Sequence, residues 1–163
     1  MNFLEDRTMK DPRADSAQKL IPPAPLPHVS RRALLRVKSP LPAPTACPYC
    51  PGSIELVNNR EIYRREFGDW PYAYLCRSCG AYVGLHPNTD IPLGRLADRA
   101  LREARKTEKS HFERLWRNAA SRTAAYQWLA EQLGIPVAEC HWAWFDIDQC
   151  RRAGEICRNA EPF

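Results

Sequence analysis

Read from its residues alone, the chain is expected to be α+β, with a small antiparallel ribbon of short strands followed by a bundle of three or four helices. Three observations lead there. Two Cys-x-x-Cys pairs, Cys47/Cys50 and Cys76/Cys79, bracket short β-branched and aromatic runs broken by turn residues. Beyond Leu93 the apolar period changes from about 2 to about 3.6 residues. The length of 163 residues leaves room for one ordinary domain or two very small ones.

In the ribbon, Ile54 to Val57 reads as a strand, Asn58-Asn59 as its turn and Glu61-Ile62-Tyr63 as the return. Tyr72 to Leu75 and Ala81 to Leu85 read as further strands. So few short strands bury too little apolar area to hold themselves, and something else must pin them. In the helical part, Leu93, Ala97, Ala100, Leu101, Ala104, Phe112 and Leu115 fall on one side at about 100° per residue. Glu108 sits on that apolar side, and Ser110 with Glu113 has capping-box spacing, so one long helix or two broken near Thr107 to Ser110 both fit. A second helix runs from Arg122, capped by Ser121, to Leu133, where Gly134 and Pro136 stop it. The last follows Asp146, whose capping box is completed by Gln149, and ends near Arg158.

The expected divisions are residues 1–45 as a proline-rich, mostly disordered arm, 46–92 as the ribbon, and 93–163 as helices packed on it. Eight of the 15 prolines precede Cys47, and Ile21-Pro22-Pro23-Ala24-Pro25-Leu26-Pro27 has no period that buries a face. The end of the arm carries Arg31, Arg32, Arg36 and Lys38, a basic tether if it has a partner. No run approaches the roughly 20 apolar residues of a membrane span. The amino terminus, with Glu5, Asp6 and Asp11, lacks the layout of a secretion signal, so a soluble cytoplasmic protein without a membrane role is expected. The 24 basic against 19 acidic side chains give a net charge of +5, a mild bias toward polyanionic partners.

The cysteines carry the clearest chemistry. Two residues between thiolates let one tight turn present both sulfurs to a single ion. Cys47-Pro48-Tyr49-Cys50 and Cys76-Arg77-Ser78-Cys79-Gly80, separated by 25 residues, supply two such turns and thus the tetrahedral four-sulfur shell that zinc prefers. Such a shell leaves no open position for water, so one structural rather than catalytic Zn2+ is expected, and its removal should unfold the ribbon. Seven cysteines, an odd count, argue further against a disulfide framework. Cys140, His141, Cys150 and Cys157 invite a second metal site, but Cys150 and Cys157 share a helix face as two small core residues would.

Arg95, Arg99, Arg102, Lys106 and Lys109 recur at helical spacing and occupy an arc of about 80° opposite the apolar side. Such a stripe can track a phosphate backbone, or can simply be a solvated outer face flanked by Asp98 and Glu103. Trp70, Tyr72 and Tyr74 alternate onto one side of an extended chain beside Arg64 and Arg65. Rings in a row can stack on unpaired bases, but they more often seal a small sheet against the elements that follow, here the helices. His86, Asp90, His111 and Glu113 are the acid–base candidates for an enzyme, which requires them to converge in one cleft.

Taken together, Cys47-Pro48-Tyr49-Cys50, Glu61-Ile62-Tyr63, Cys76 to His86, Pro92 to Ala97, His111-Phe112, Leu115-Trp116, Tyr126 to Ala130, Leu133-Gly134-Ile135 and Phe145-Asp146 resemble one family. It is the zinc-finger-containing domain of unknown function carried by many tailed phages and bacterial genomes, and the resemblance covers about residues 46–158. Where that family tends to read His-Ile-Gly before its Phe-Asp pair, this chain has His141-Trp142-Ala143-Trp144, which points to different local packing. The resemblance implies a zinc-binding module of phage or prophage origin and brings no established activity. The resulting expectation is a non-enzymatic module that binds DNA, RNA or a nucleic-acid-processing assembly through Arg95, Arg99, Arg102, Lys106 and Lys109. The rivals are an adaptor for a phage or host protein, and a metal-dependent nuclease.

Overall fold

Alternation of apolar and polar residues from Ile54 makes strand β1 (Ile54–Asn58), the first edge of a three-stranded antiparallel sheet completed by β2 (Tyr72–Cys76) and β3 (Tyr82–Gly84). A computed structural model describes residues 9–162 of the chain, so Glu5 and Asp6, cited above for the amino terminus, lie outside the described residues. Two units divide between Leu96 and Ala97. The expected boundary at 92/93 falls a few residues early, because the Leu93 N–H still donates to the Gly84 carbonyl at 2.9 Å and the Tyr49 hydroxyl to the Leu96 carbonyl at 2.8 Å.

In the first unit the register runs from Ile54 opposite Cys76 to Asn58 opposite Tyr72, and Tyr74 lies opposite Val83. The chain does not reverse at Asn58-Asn59. The Asn58 side chain accepts from the Arg60 N–H at 2.9 Å and starts a single helical turn, α2 (Arg60–Tyr63), where a return strand was expected. A short polar side chain that bonds nearby backbone competes with strand pairing. The return strand is instead β2, and Tyr74, Cys76, Ala81, Val83, Leu85 and Leu96 make the buried side of the sheet with Leu26.

Leu26 comes from the segment expected to be disordered, and that expectation needs correcting for residues 9–45. Asp11 caps a 3-10 turn at Pro12–Ala14, and Ser30 caps helix α1 (Arg31–Arg36). Leu34 is fully buried with Ala14 and Val37 against Ile91. Arg13 joins Asp11 to Asp90, donating to the Asp90 carboxylate at 2.9 and 2.7 Å. The segment lacks a periodic apolar face because its few apolar residues fill separate gaps over the ribbon and the 86–91 loop. That loop is itself closed by Thr89, whose buried hydroxyl donates to the His86 carbonyl and accepts from the Ile91 N–H.

The second unit is helical, with α3 (Arg99–Trp116), α4 (Arg122–Leu133) and α5 (Ile147–Asn159). Asp98, Ser121 and Asp146 cap the three, and Gln149 completes the capping box of α5. Gly134 ends α4 with φ +68°. One continuous α3 replaces the possible break, since the Ser110 hydroxyl bonds back to the Thr107 carbonyl at 2.6 Å instead of opening a new helix. Because Asp98 starts α3 at Arg99, Leu93 lies outside it and is 43% exposed, and Ala100 is exposed as well. The buried side of α3 is Leu101, Phe112 and Leu115, packed with Leu129, Trp142, Phe145 and the cysteines of α5.

Glu108 on that side has a specific cause. It lies across Gly154 of α5, where an added Cβ would stand 1.6 Å from its Oε2 and 2.8 Å from its own Cβ, and Arg158 holds its carboxylate at 2.7 Å. The Trp142 ring packs 5.4 Å from Phe145 and 6.1 Å from Phe112.

These contacts make the amino-terminal segment part of the first unit. Leu34→Ala is expected to cost about 2–5 kcal/mol through the cavity it leaves, which equilibrium urea unfolding of the zinc-loaded chain will measure; a disordered arm would show no change.

Candidate metal centre

Cys47 and Cys50 lie in the turn before β1, Cys76 ends β2, and Cys79 follows it in the turn to β3. The antiparallel pairing of Ile54 with Cys76 therefore brings the two turns side by side. The Arg77 N–H donates to the Ser53 carbonyl at 2.9 Å and joins them through the backbone. Gly52 is the close approach. A Cβ there would meet Ser78 Oγ at 2.5 Å, Ser78 Cβ at 2.6 Å and Cys76 Sγ at 2.9 Å, so no larger residue fits. Gly80, with φ +78°, bends the second turn, and its N–H donates to the Cys76 carbonyl at 3.0 Å.

All four sulfurs lie within 4.8 Å of one another, with Cys47 Sγ 3.6 Å from Cys79 Sγ and Cys50 Sγ 3.4 Å from Cys76 Sγ. A tetrahedral ion with metal–sulfur bonds of about 2.3 Å sets its sulfurs about 3.8 Å apart, so the cluster fits zinc with only small adjustment. Backbone amides supply the outer support: the Gly52 N–H reaches Cys50 Sγ at 3.4 Å. The amide of Cys79, then that of Ser78, holds the Cys76 thiol down to about 6, close to the thiolate a metal requires. At Cys79 the Ala81 amide also favours the thiolate, but desolvation and the neighbouring sulfurs outweigh it and push that thiol up to about 12. Without a cation, then, desolvation and the neighbouring sulfurs oppose ionisation at Cys79 while the turn amides favour it at Cys76. Four soft donors with no fifth position make the centre structural, and one Zn2+ is its ion.

The other candidates are placed differently. Arg99, Arg102, Lys106 and Lys109 share α3, with Arg99 and Lys106 exposed. Arg102 turns back to the Ala97 carbonyl at 2.8 Å, and Lys109 lies 3.7 Å from Glu113. Arg95 drops out of the stripe's helix, since α3 begins only at Arg99. The stripe has a continuation that the sequence reading missed: Arg114 and Arg117, with Lys106, Lys109, Ser110 and Glu113, line a shallow groove at the end of α3. Arg117 was legible, because it lies eleven residues beyond Lys106 and so returns to nearly the same angle.

In α1, the Arg31 guanidinium donates to the Arg13 carbonyl at 2.7 Å, while Arg32, Arg36 and Lys38 are exposed. Cys140, Cys150 and Cys157 are buried core thiols, pushed up by burial to about 11, 11 and 12, and the exposed His141 ring lies tilted 5.4 Å from Trp144. Among the described residues they form no metal cluster. Asp90 is occupied by Arg13, and Glu113 by Lys109 and the Trp116 indole.

The centre defines a structural zinc protein. A family model for a zinc-finger-containing domain matches residues 43–160, and the chain belongs to that family. The match leaves out most of the segment that packs over the ribbon. Searches of curated proteins and of solved structures gave no match. Among the described residues no helix is long and apolar enough to cross a membrane.

Gly52→Ala should lower the zinc content below one ion per chain, as read by metal analysis, and Gly80→Ala should do so less. Stripping the metal with a chelator should melt the first unit, since structural zinc contributes on the order of 10 kcal/mol. Loss of amide-exchange protection in β1 to β3 is the readout.

Proposed function

We propose that the chain is a non-enzymatic, zinc-stapled binding module of phage or prophage type, and that it contacts nucleic acid, or an assembly that processes it, through the outer face of α3. The observation that carries this reading is the basic groove along that face. Arg99, Arg102, Lys106 and Lys109 lead into Arg114 and Arg117, and the row rises about 27 Å from Arg99 to Arg117 at 1.5 Å per residue, long enough to follow several phosphates. Glu113 is the acidic residue lining the groove, and it is engaged by Lys109 and Trp116. Cations near a helix carboxyl terminus also relieve the helix dipole, which accounts for Arg114 and Arg117 but not for Arg99.

The occupied state of Asp90 and Glu113 favours a binding role over acid–base catalysis. The phage setting rests on the resemblance of the family motifs, and a cytoplasmic location on composition.

The test is binding of the zinc-loaded chain to labelled oligonucleotides across a salt series. The triple variant Arg99→Ala, Lys106→Ala, Arg117→Ala should weaken binding and reduce the slope of log affinity against log salt by about 1 for each phosphate contact removed. An unchanged slope and affinity would sink the reading. Salt-insensitive binding to a protein would favour an adaptor.

A further inference from the structure

We infer that the first unit carries a platform for unpaired nucleobases, formed by Tyr63, Phe67 and Tyr82 with Arg64 and Arg65 beside them. It rests on the nucleic-acid reading above and narrows it to single strands. The rings that the sequence singled out for stacking are spent elsewhere. Tyr74 is buried and its hydroxyl donates to the Asp90 carbonyl at 2.6 Å, the Trp70 indole donates to the Thr89 carbonyl at 2.9 Å, and Tyr72 packs edge-on against Trp70. They seal the sheet beneath the 86–91 loop.

A second aromatic group remains at the surface. Tyr63 is 42% exposed and Phe67 46% exposed, with ring centroids 5.1 Å apart, and Tyr63 stands edge-on to Tyr82 at 5.8 Å with their hydroxyls 3.2 Å apart.

This surface is held in place. Asn59 is among the few buried polar residues, and it commits both ends of its amide to the backbone of an exposed residue, donating to the Phe67 carbonyl at 3.0 Å and accepting from the Phe67 N–H at 3.1 Å. The intervening loop turns through left-handed Arg64 at φ 63°, and Gly68 just after Phe67 is left-handed as well at φ 74°. Exposed rings on a fixed backbone lose little freedom on binding, which is how aromatic anchors gain affinity.

Charge selects the occupant. Arg60 is paired with Glu66, and Arg77 with Glu55 and Glu61. Among the described residues no carboxylate pairs with Arg64 or Arg65, and the Arg65 guanidinium lies over the Phe67 ring, 4.4 Å from its centroid. A planar cation on an aromatic face occupies the kind of position a base takes, and on exchange it is free to meet the strand's phosphate. Bases inside a duplex are already stacked and do not offer their faces. The platform is also tied to the metal turn, because Arg77, between two zinc ligands in sequence, donates to Glu61 of α2 at 2.7 Å.

The experiment compares three labelled probes with the full zinc-loaded chain: an oligothymidylate, an abasic strand with the same number of phosphates, and a duplex of that length. The oligothymidylate should bind about tenfold or more tighter than the abasic strand, given the worth of base–aromatic stacking. Tyr63→Leu with Phe67→Leu should erase that difference, leave abasic affinity unchanged and retain one zinc per chain, while Tyr63→Phe should keep it. If the double variant loses zinc, Phe67→Leu alone carries the test. Equal binding of base-bearing and abasic strands, or equal weakening of both by the ring variants, overturns the platform while leaving the α3 reading intact. No binding to any of the three probes at low salt overturns both.

Discussion

Four sulfurs within a few ångströms of each other repel as thiolates unless a divalent cation sits among them, and the first unit is organised around that constraint. Cys76 and Cys79 flank the turn between β2 and β3, and Cys47 and Cys50 sit in the turn that leads into β1, so the ion clamps the end of the sheet where Ile54 pairs with Cys76. The narrow gap at Gly52 and the bend at Gly80 are consequences of bringing those turns together. A three-stranded sheet this short does not repay the entropy of ordering its residues by burial alone, and the metal offsets the deficit.

The second contribution to that unit is the amino-terminal segment. It supplies Leu26 to the sheet's core and Leu34 and Val37 to a smaller cluster over Ile91, while Arg13 neutralises Asp90. The zinc-finger match begins near the end of this segment, so the covering is an addition outside the matched family region. In the helical unit, by contrast, cohesion comes from ordinary close packing. Small residues on α5 admit α3, and the exclusion of any side chain at Gly154 by Glu108 shows how near the two helices come.

Both proposed contact surfaces follow from what the stability of each unit leaves over. Burial claims one side of α3 and leaves a basic side; sheet packing claims Trp70, Tyr72 and Tyr74 and leaves Tyr63, Phe67 and Tyr82. Phosphate attraction is long-ranged and insensitive to sequence, whereas stacking is short-ranged and requires an exposed base, so each proposed surface would read a different property of a nucleic acid.

Local chemistry made much of this legible in the residues. Metal-ligand spacing depends on two residues within one turn, capping on three residues at a helix start, and helical period on a few turns; the zinc ligands, the caps of α4 and α5 and the strands β1 to β3 were therefore readable directly. Only the tertiary structure decided the rest. The helical turn after Asn58 and the start of α3 at Asp98, which excludes Arg95, rest on local side-chain bonds that compete with other local patterns, whereas whether a proline-rich segment finds a surface to cover and which aromatic rings are buried depend on contacts between residues distant in sequence. Such contacts leave no period or fixed spacing in the chain, because burial is set by the surface that happens to lie opposite.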